Sequence, residues 1–323
     1  MSTTSSRMYS PAASAARAAV SRGHSMSKPS PSQPLPDLLP TAADVRFYRE
    51  HGYYITNRIL PDRLLDAALA ASERLYRGER DSEPPAGATP GWQPGDGPHE
   101  LRKNDFAWLQ LTAMAALVRH PLLGAAAARL AGEPVRLWQD QLLCKPSDGR
   151  EAKANVGWHT DRLYWRCCTS TEMLTAWIPF RDYSATDGTV TFIDGSHRWS
   201  DNDDSLDFSE FNFRNQDLDR LGGRFDVVQR PIVKVPLDIK RGQVSFHHCK
   251  TIHGSGPNRG PLPRTALAVH MQPASNRWCA YEYRMPDGSI RHHDMETLCR
   301  KIDGVADFAD PALCPMLWPV AAS

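Results

Sequence analysis

No stretch of the chain stays apolar for the roughly 18 residues that a membrane-crossing helix needs. A charge excess is missing as well: 38 basic residues stand against 37 acidic ones, which gives no global reason to expect nucleic acid or an anionic lipid surface as a partner. Cysteine occurs seven times, an odd number without a CxxC pair. That count argues against a disulfide framework or a thiolate zinc cluster, and for free thiols in a reducing, cytoplasmic compartment. There is no internal repeat and no secretory apolar segment. What remains is an ordinary globular composition of 323 residues, enough for one large domain or two small ones.

The first acidic residue is Asp37; residues 1–38 are rich in Ser, Ala and Pro and carry Arg7, Arg17, Arg22 and Lys28. Such a segment buries too little apolar surface to order itself. It fits a flexible tail, an organellar targeting segment, or an over-called start with Met26 as the internal initiator. Residues 39–323 then form a single domain. Within it, 198–230 is polar and Asp-rich, lacks the spacing and closing Glu of an EF-hand, and is expected to be a solvated, lid-like insertion.

Thr41 is an N-cap for a short helix that Gly52 stops, and Tyr53-Tyr54-Ile55 has strand character. After Pro61, Leu64, Leu65, Ala68, Leu69, Ser72 and Leu75 recur at helical spacing. Residues 78–100 hold five glycines and five prolines, so they form a loop that could border a pocket. Helical pattern returns from Phe106 to Leu130, interrupted at Pro121. Short strand-like runs follow at 135–143, 173–179, 189–193, 233–236, 244–248 and 265–272, separated by Gly, Pro, Asp and Ser. Helices first and many short strands after predict a mainly β protein with flanking helices, a barrel or jelly roll.

The chemistry concentrates in Gly157-Trp158-His159-Thr160-Asp161. Residues two apart on a strand share a face, so His159 and Asp161 project together. Two His and one carboxylate with open positions suit non-heme Fe(II), and His247, His248 and His253 compete to be the third ligand. Adjacent strand residues face opposite ways, so only one of His247 and His248 can point inward. His253 lies in a Gly-Ser-Gly turn where backbone can approach a ligand closely, which favours it. Arg264 opens the next strand and offers a planar fork for a carboxylate, unless it lies on the surface.

His159-Thr160-Asp161, Asp194-Gly195-Ser196-His197, His253-Gly254-Ser255-Gly256-Pro257-Asn258 and Arg264 occur in that order. Together they resemble the phytanoyl-CoA dioxygenase family of Fe(II)- and 2-oxoglutarate-dependent oxygenases, over roughly residues 41–275. The resemblance implies a double-stranded β-helix core, a cupin-like jelly roll. It implies Fe(II) on His159, Asp161 and His253, with 2-oxoglutarate and O2 as co-substrates and the far carboxylate of 2-oxoglutarate on Arg264. Ser255 matches a second contact to that carboxylate. Trp177 matches a position beside the co-substrate, where a packed strand Trp is the alternative, and Gln141 is a further carry-over. The Asp194–His197 motif is a landmark whose His fixes a loop.

By family chemistry the products are succinate, CO2 and, by default, a hydroxylated small organic molecule. Halogenating relatives replace the carboxylate of the triad with a small residue; Asp161 is present, so halogenation is not expected. A zinc hydrolase could use the same His/Asp/His set without needing Arg264, and a silent binding protein on this fold would usually have lost a ligand. Arg162, Tyr164, Trp165 and Arg166 are candidate pocket residues. The substrate and the oligomeric state are not legible.

Overall fold

The computed structural model describes residues 38–147, 154–199, 231–281, 283–284 and 288–319. The N-terminal segment to residue 37 and nearly all of the insertion at 198–230 lie outside them. The chain enters through α1 (Ala42–His51), β1 (Tyr53–Ile55) and α2 (Asp62–Leu75). Thr41 and Asp44 form a reciprocal cap: the Asp44 backbone N–H donates to Thr41 Oγ1 at 3.2 Å, and the Thr41 N–H donates to the Asp44 carboxylate at 2.7 Å. Gly52, with φ +80°, ends the helix in a left-handed turn. Beyond the Gly/Pro loop come β2 (Arg102–Asp105), α3 (Ala107–Gln110), α4 (Thr112–Val118) and α5 (Pro121–Ala131), the last starting on Pro121, where the N–H that proline lacks has no partner within the helix.

The strand-rich part holds β3 (Val135–Lys145), β4 (Val156–His159), β5 (Leu174–Pro179), β6 (Thr191–Ile193), β7 (Lys234–Pro236), β8 (Ser245–His248), β9 (His253–Ser255) and β10 (Arg264–Pro273). The chain closes with the hairpin β11 (Tyr283–Arg284) and β12 (Ile290–Arg291), then α6 (Asp294–Leu298). The hairpin β13 (Lys301–Ile302) and β14 (Val305–Ala306) follows, and β15 (Met316–Trp318) is last. A seven-stranded sheet runs β1-β8-β5-β10-β3-β15, with β2 also on β3; a four-stranded sheet runs β4-β9-β6-β7. All pairings are antiparallel, and the chain alternates between the sheets from β3 to β6 and again from β7 to β10. This is the jelly roll.

Strand β10 shows how the sequence divides its work. All ten residues are buried. Leu267, Val269 and Met271 pack outward with Leu117, Met114 and Leu130 of the helices, each such side chain contributing about 1.5–3 kcal/mol on burial. Arg264, Ala266, Ala268 and His270 face the other way, between the sheets. A bulge lets β3 match this face: His270 pairs with Gln139 while Met271 pairs with Leu137, so Trp138 is the extra residue. Without it, Leu137 and Gln139 would lie on one face; with it, Leu137 joins the core and Gln139 the interior.

Two local features differ from expectation. Residues 102–105, Arg-Lys-Asn-Asp, have no strand signature and are held in β2 by pairing with Cys144, Leu143, Leu142 and Gln141 of β3. His253 is not in a turn; it opens β9.

Candidate metal centre

β4 and β9 pair so that His159 lies opposite His253. The strand ends at His159, Thr160 stays extended (φ −114°, ψ 144°), and Asp161 opens a 3-10 turn over Asp161–Tyr164. Asp161 is therefore beyond the strand, and the extended Thr160 is what returns it to the face of His159. The two imidazole centroids are 4.2 Å apart. Asp161 Oδ1 lies 3.9 Å from His159 Nε2 and 3.7 Å from His253 Nε2. Among the described residues this is the one group of three such side chains whose ligand atoms all lie within 4.8 Å of one another.

Backbone carbonyls fix both tautomers. His159 Nδ1 donates to Gly157 O at 2.8 Å and His253 Nδ1 donates to Thr251 O at 2.9 Å. Each Nε2 is left with a lone pair turned toward Asp161, the form that binds a metal. Burial, and then the neighbouring His253 ring, push His159 down to about 4; burial and then His247 do the same to His253. Burial opposes the Asp161 charge, yet His253, His247 and His270 around it outweigh burial and hold its carboxyl well below the usual range. At neutral pH the group is thus two neutral imidazoles and one carboxylate, the donor set of a divalent metal.

The second oxygen of Asp161 meets two residues that sequence reasoning missed, Thr175 and His270, and one it weighed as a ligand, His247. Thr175 Oγ1 donates to Oδ2 at 2.6 Å, His247 Nε2 lies 3.3 Å from it, and His270 Nδ1 lies 3.9 Å from it. Thr175 pairs with His247 on one side and His270 on the other, so the three share a row across the large sheet. The even spacing of His270 from Arg264 on one strand is the signal that could have found it.

Arg264 lies at the other end of that face, 2 % exposed. Its Nη2 donates to Gly188 O at 3.1 Å, whereas Nε and Nη1 have no hydrogen-bond partner. The guanidinium sits 5.4 Å from the Trp177 ring centroid, and no carboxylate forms an ion pair with it among the described residues. Burial lowers it to about 10, against the opposing influence of Tyr183, so it remains a cation. A buried, unpaired cation is costly unless an anion arrives. Lys145, cross-strand from Arg264, is buried too; it donates to Ser255 O at 2.9 Å and Gly256 O at 2.5 Å, bracing that loop.

A cavity of about 230 Å³ joins the two ends: His159, Asp161, His253, Arg264, Ser255, Trp177 and Gln141 all line it. Tyr164, Trp165 and Arg166 line it as well. Arg162 does not, since it turns away to donate to the Trp165 and Cys168 carbonyls at 2.8 and 2.9 Å. The Gly/Pro loop reaches the rim: Thr89 lines the cavity and is fastened to α6 by two 2.8 Å hydrogen bonds, from its N–H and hydroxyl to the Asp294 carboxylate. Of the competing histidines, His247 lies beside Asp161. His248 faces outward, 3.4 Å from Glu172. His197 donates from Nε2 to Arg49 O at 3.1 Å, tying its loop to the end of α1. The described cysteines are all free, and no described helix is long and apolar enough to cross a membrane.

Comparison with known proteins gives the same direction. A probable alpha-ketoglutarate-dependent hypophosphite dioxygenase of Stutzerimonas stutzeri is 27% identical over 172 residues, 52% of this chain and 56% of the relative, little more than half of that protein's length. An ectoine dioxygenase of Bordetella bronchiseptica is 26% identical over 236 residues, 69% of this chain and 72% of the relative. Among solved structures, the non-heme alpha ketoglutarate-dependent carbocyclase SnoK from nogalamycin biosynthesis superposes with a TM-score of 0.58 at 26% identity, covering 74% of this chain and 86% of its own. The phytanoyl-CoA dioxygenase family model matches residues 48–266, from α1 through the first residues of β10. The chain belongs to the phytanoyl-CoA dioxygenase family.

Proposed function

We propose that the protein is an Fe(II)- and 2-oxoglutarate-dependent oxygenase that hydroxylates an unactivated C–H bond of a small organic molecule. The observation that carries this is the pairing, in one cavity, of a buried His/Asp/His cluster with a buried guanidinium that has two nitrogens without a hydrogen-bond partner. A hydrolytic zinc site has use for the first but not the second. The family membership and the alpha-ketoglutarate-dependent relatives support the same choice.

The residues fit the cofactor set. His159, Asp161 and His253 would hold Fe(II), and three positions would stay open. When bound, iron and 2-oxoglutarate with O2 supply the oxidising power, with succinate and CO2 as co-products. Arg264, with hydrogen-bonding capacity left over, would take the far carboxylate of 2-oxoglutarate, and Ser255, on the strand that carries His253, would be its second contact. Trp177 packs against the guanidinium and excludes water from it. Gln141 lies on the same face, cross-strand from Ala268, which pairs with Trp177. Toward the rim, Lys103, Asp105, Gln139 and Tyr164 offer polar contacts that suit a substrate with polar groups.

Asp161 also bears on the reaction type. With the carboxylate in place no position is freed for halide, so a chlorinated product in the presence of chloride would contradict this assignment. The test of the whole is succinate formation from 2-oxoglutarate with anaerobically added Fe(II), across a substrate panel. Wild type should bind iron and form succinate, while His159→Ala and Arg264→Ala should not form it. A wild-type protein that binds no iron and forms no succinate would end the oxygenase reading.

A further inference from the structure

The two oxygens of Asp161 have different surroundings. Oδ1 faces His159 and His253, whereas Oδ2 accepts a 2.6 Å hydrogen bond from Thr175 Oγ1 and has His247 Nε2 at 3.3 Å. A hydroxyl-to-carboxylate contact of this length is of the strong, charge-assisted kind. Thr175 is 1 % exposed and sits on β5, with His247 and His270 as its cross-strand neighbours on either side. Sheet pairing therefore holds it in place.

Counting protons fixes the rest of the chain. A metal-binding carboxylate is ionised and can only accept, so the single hydroxyl proton of Thr175 goes to Asp161. The 2.7 Å contact between Thr175 Oγ1 and His270 Nδ1 must then run from the ring N–H to the Thr oxygen. His270, packed edge-on against Trp165 with centroids 4.9 Å apart, orients the hydroxyl that orients the carboxylate.

We propose that Thr175 is a positioning residue that commits Asp161 to metal ligation through Oδ1 alone. The inference rests on the oxygenase reading. Freed of Thr175, Oδ2 can swing toward the metal and occupy one of the positions that a chelating 2-oxo acid needs. Iron would then be held as well or better, and 2-oxoglutarate less well. A buried Thr that served only as packing would show no such split.

The experiment is an anaerobic titration of the full chain, first with Fe(II) against a chromophoric chelator and then with 2-oxoglutarate, following the visible charge-transfer band of the iron chelate. In Thr175→Val, Fe(II) affinity should stay within about threefold of wild type or rise, while 2-oxoglutarate binds about tenfold more weakly; Thr175→Ser should restore it. His270→Leu should weaken 2-oxoglutarate in the same direction, and His270→Asn, which keeps a donor near the Nδ1 position, should not; this pair carries the test if Thr175→Val does not fold. Unchanged 2-oxoglutarate affinity in both Thr175→Val and His270→Leu, or parallel loss of Fe(II) and 2-oxoglutarate, would overturn the proposal. A wild-type protein that binds Fe(II) but gives no band with 2-oxoglutarate would instead overturn the oxygenase reading, and the wild-type 2-oxoglutarate titration tells the two failures apart.

Discussion

Replacing Arg264 with Leu should have two effects of opposite sign. In the free protein Arg264 is a buried cation with Nε and Nη1 unpaired, so the change removes a desolvation cost. It also removes packing against Trp177, and the net is a gain of between zero and about 2 kcal/mol in stability. With 2-oxoglutarate bound, the same change leaves a carboxylate unpaired in a buried end of the cavity, which costs about 3–5 kcal/mol, at least a hundredfold in Kd. A ligand present at about 100 times its Kd stabilises by about 2.7 kcal/mol, and a hundredfold loss of affinity at the same concentration leaves about 0.4 kcal/mol. Urea unfolding of the free protein and anaerobic unfolding with Fe(II) and 2-oxoglutarate read both quantities. A variant that keeps the full ligand-induced stabilisation, or is destabilised by more than about 2 kcal/mol when free, would refute the reasoning.

Three further outcomes are expected. Gly188 has φ +67°, and a Cβ there would lie 2.7 Å from Gly256 O and 2.8 Å from Pro257 O. Gly188→Ala should therefore cost about 1–3 kcal/mol in urea unfolding and, because Gly188 O anchors Arg264, raise the KM for 2-oxoglutarate. His159 and His253 are held down at about 4, so the unfolded chain binds more protons between that value and the ordinary His range. Their contribution is complete above that range and is lost as pH falls toward 4, and the depressed Asp161 adds a loss of the same sign at still lower pH. Urea midpoints of the metal-free protein should thus fall between pH 7 and pH 4.5, and a flat profile would contradict the burial of both rings as neutral groups. Asp294→Ala cuts both bonds to Thr89; amide exchange in the loop around Thr89 should quicken by about tenfold while global stability changes by less than about 1 kcal/mol.

Much of the scaffold was readable because its signals are local. Thr41 and Gly52 bound α1, Pro121 starts α5, and the runs that became β3, β5, β8 and β10 are rich in branched and aromatic residues between turn residues. β2 was not readable, because Arg102–Asp105 owe their strand geometry to the partner strand rather than to their own side chains. In β10 nearly every residue between Thr265 and Met271 is apolar, so period two is blurred, and which face carries chemistry depends on what covers each side.

For the site, sequence alone offered the donor types and their order: His159 and Asp161 can be named from spacing, His253 and Arg264 with the help of the family motifs, since ligand chemistry is a property of the side chains themselves. Which of His247, His248 and His253 joins the cluster was left open by spacing. The register of β4 on β9, which sets His159 opposite His253, decided it, and put His247 behind Asp161 instead. Thr175, His270 and Lys145 have no motif at all. Their roles arise from cross-strand rows and a single bulge at Trp138, which couple residues far apart in the chain and exist only once the sheets have formed.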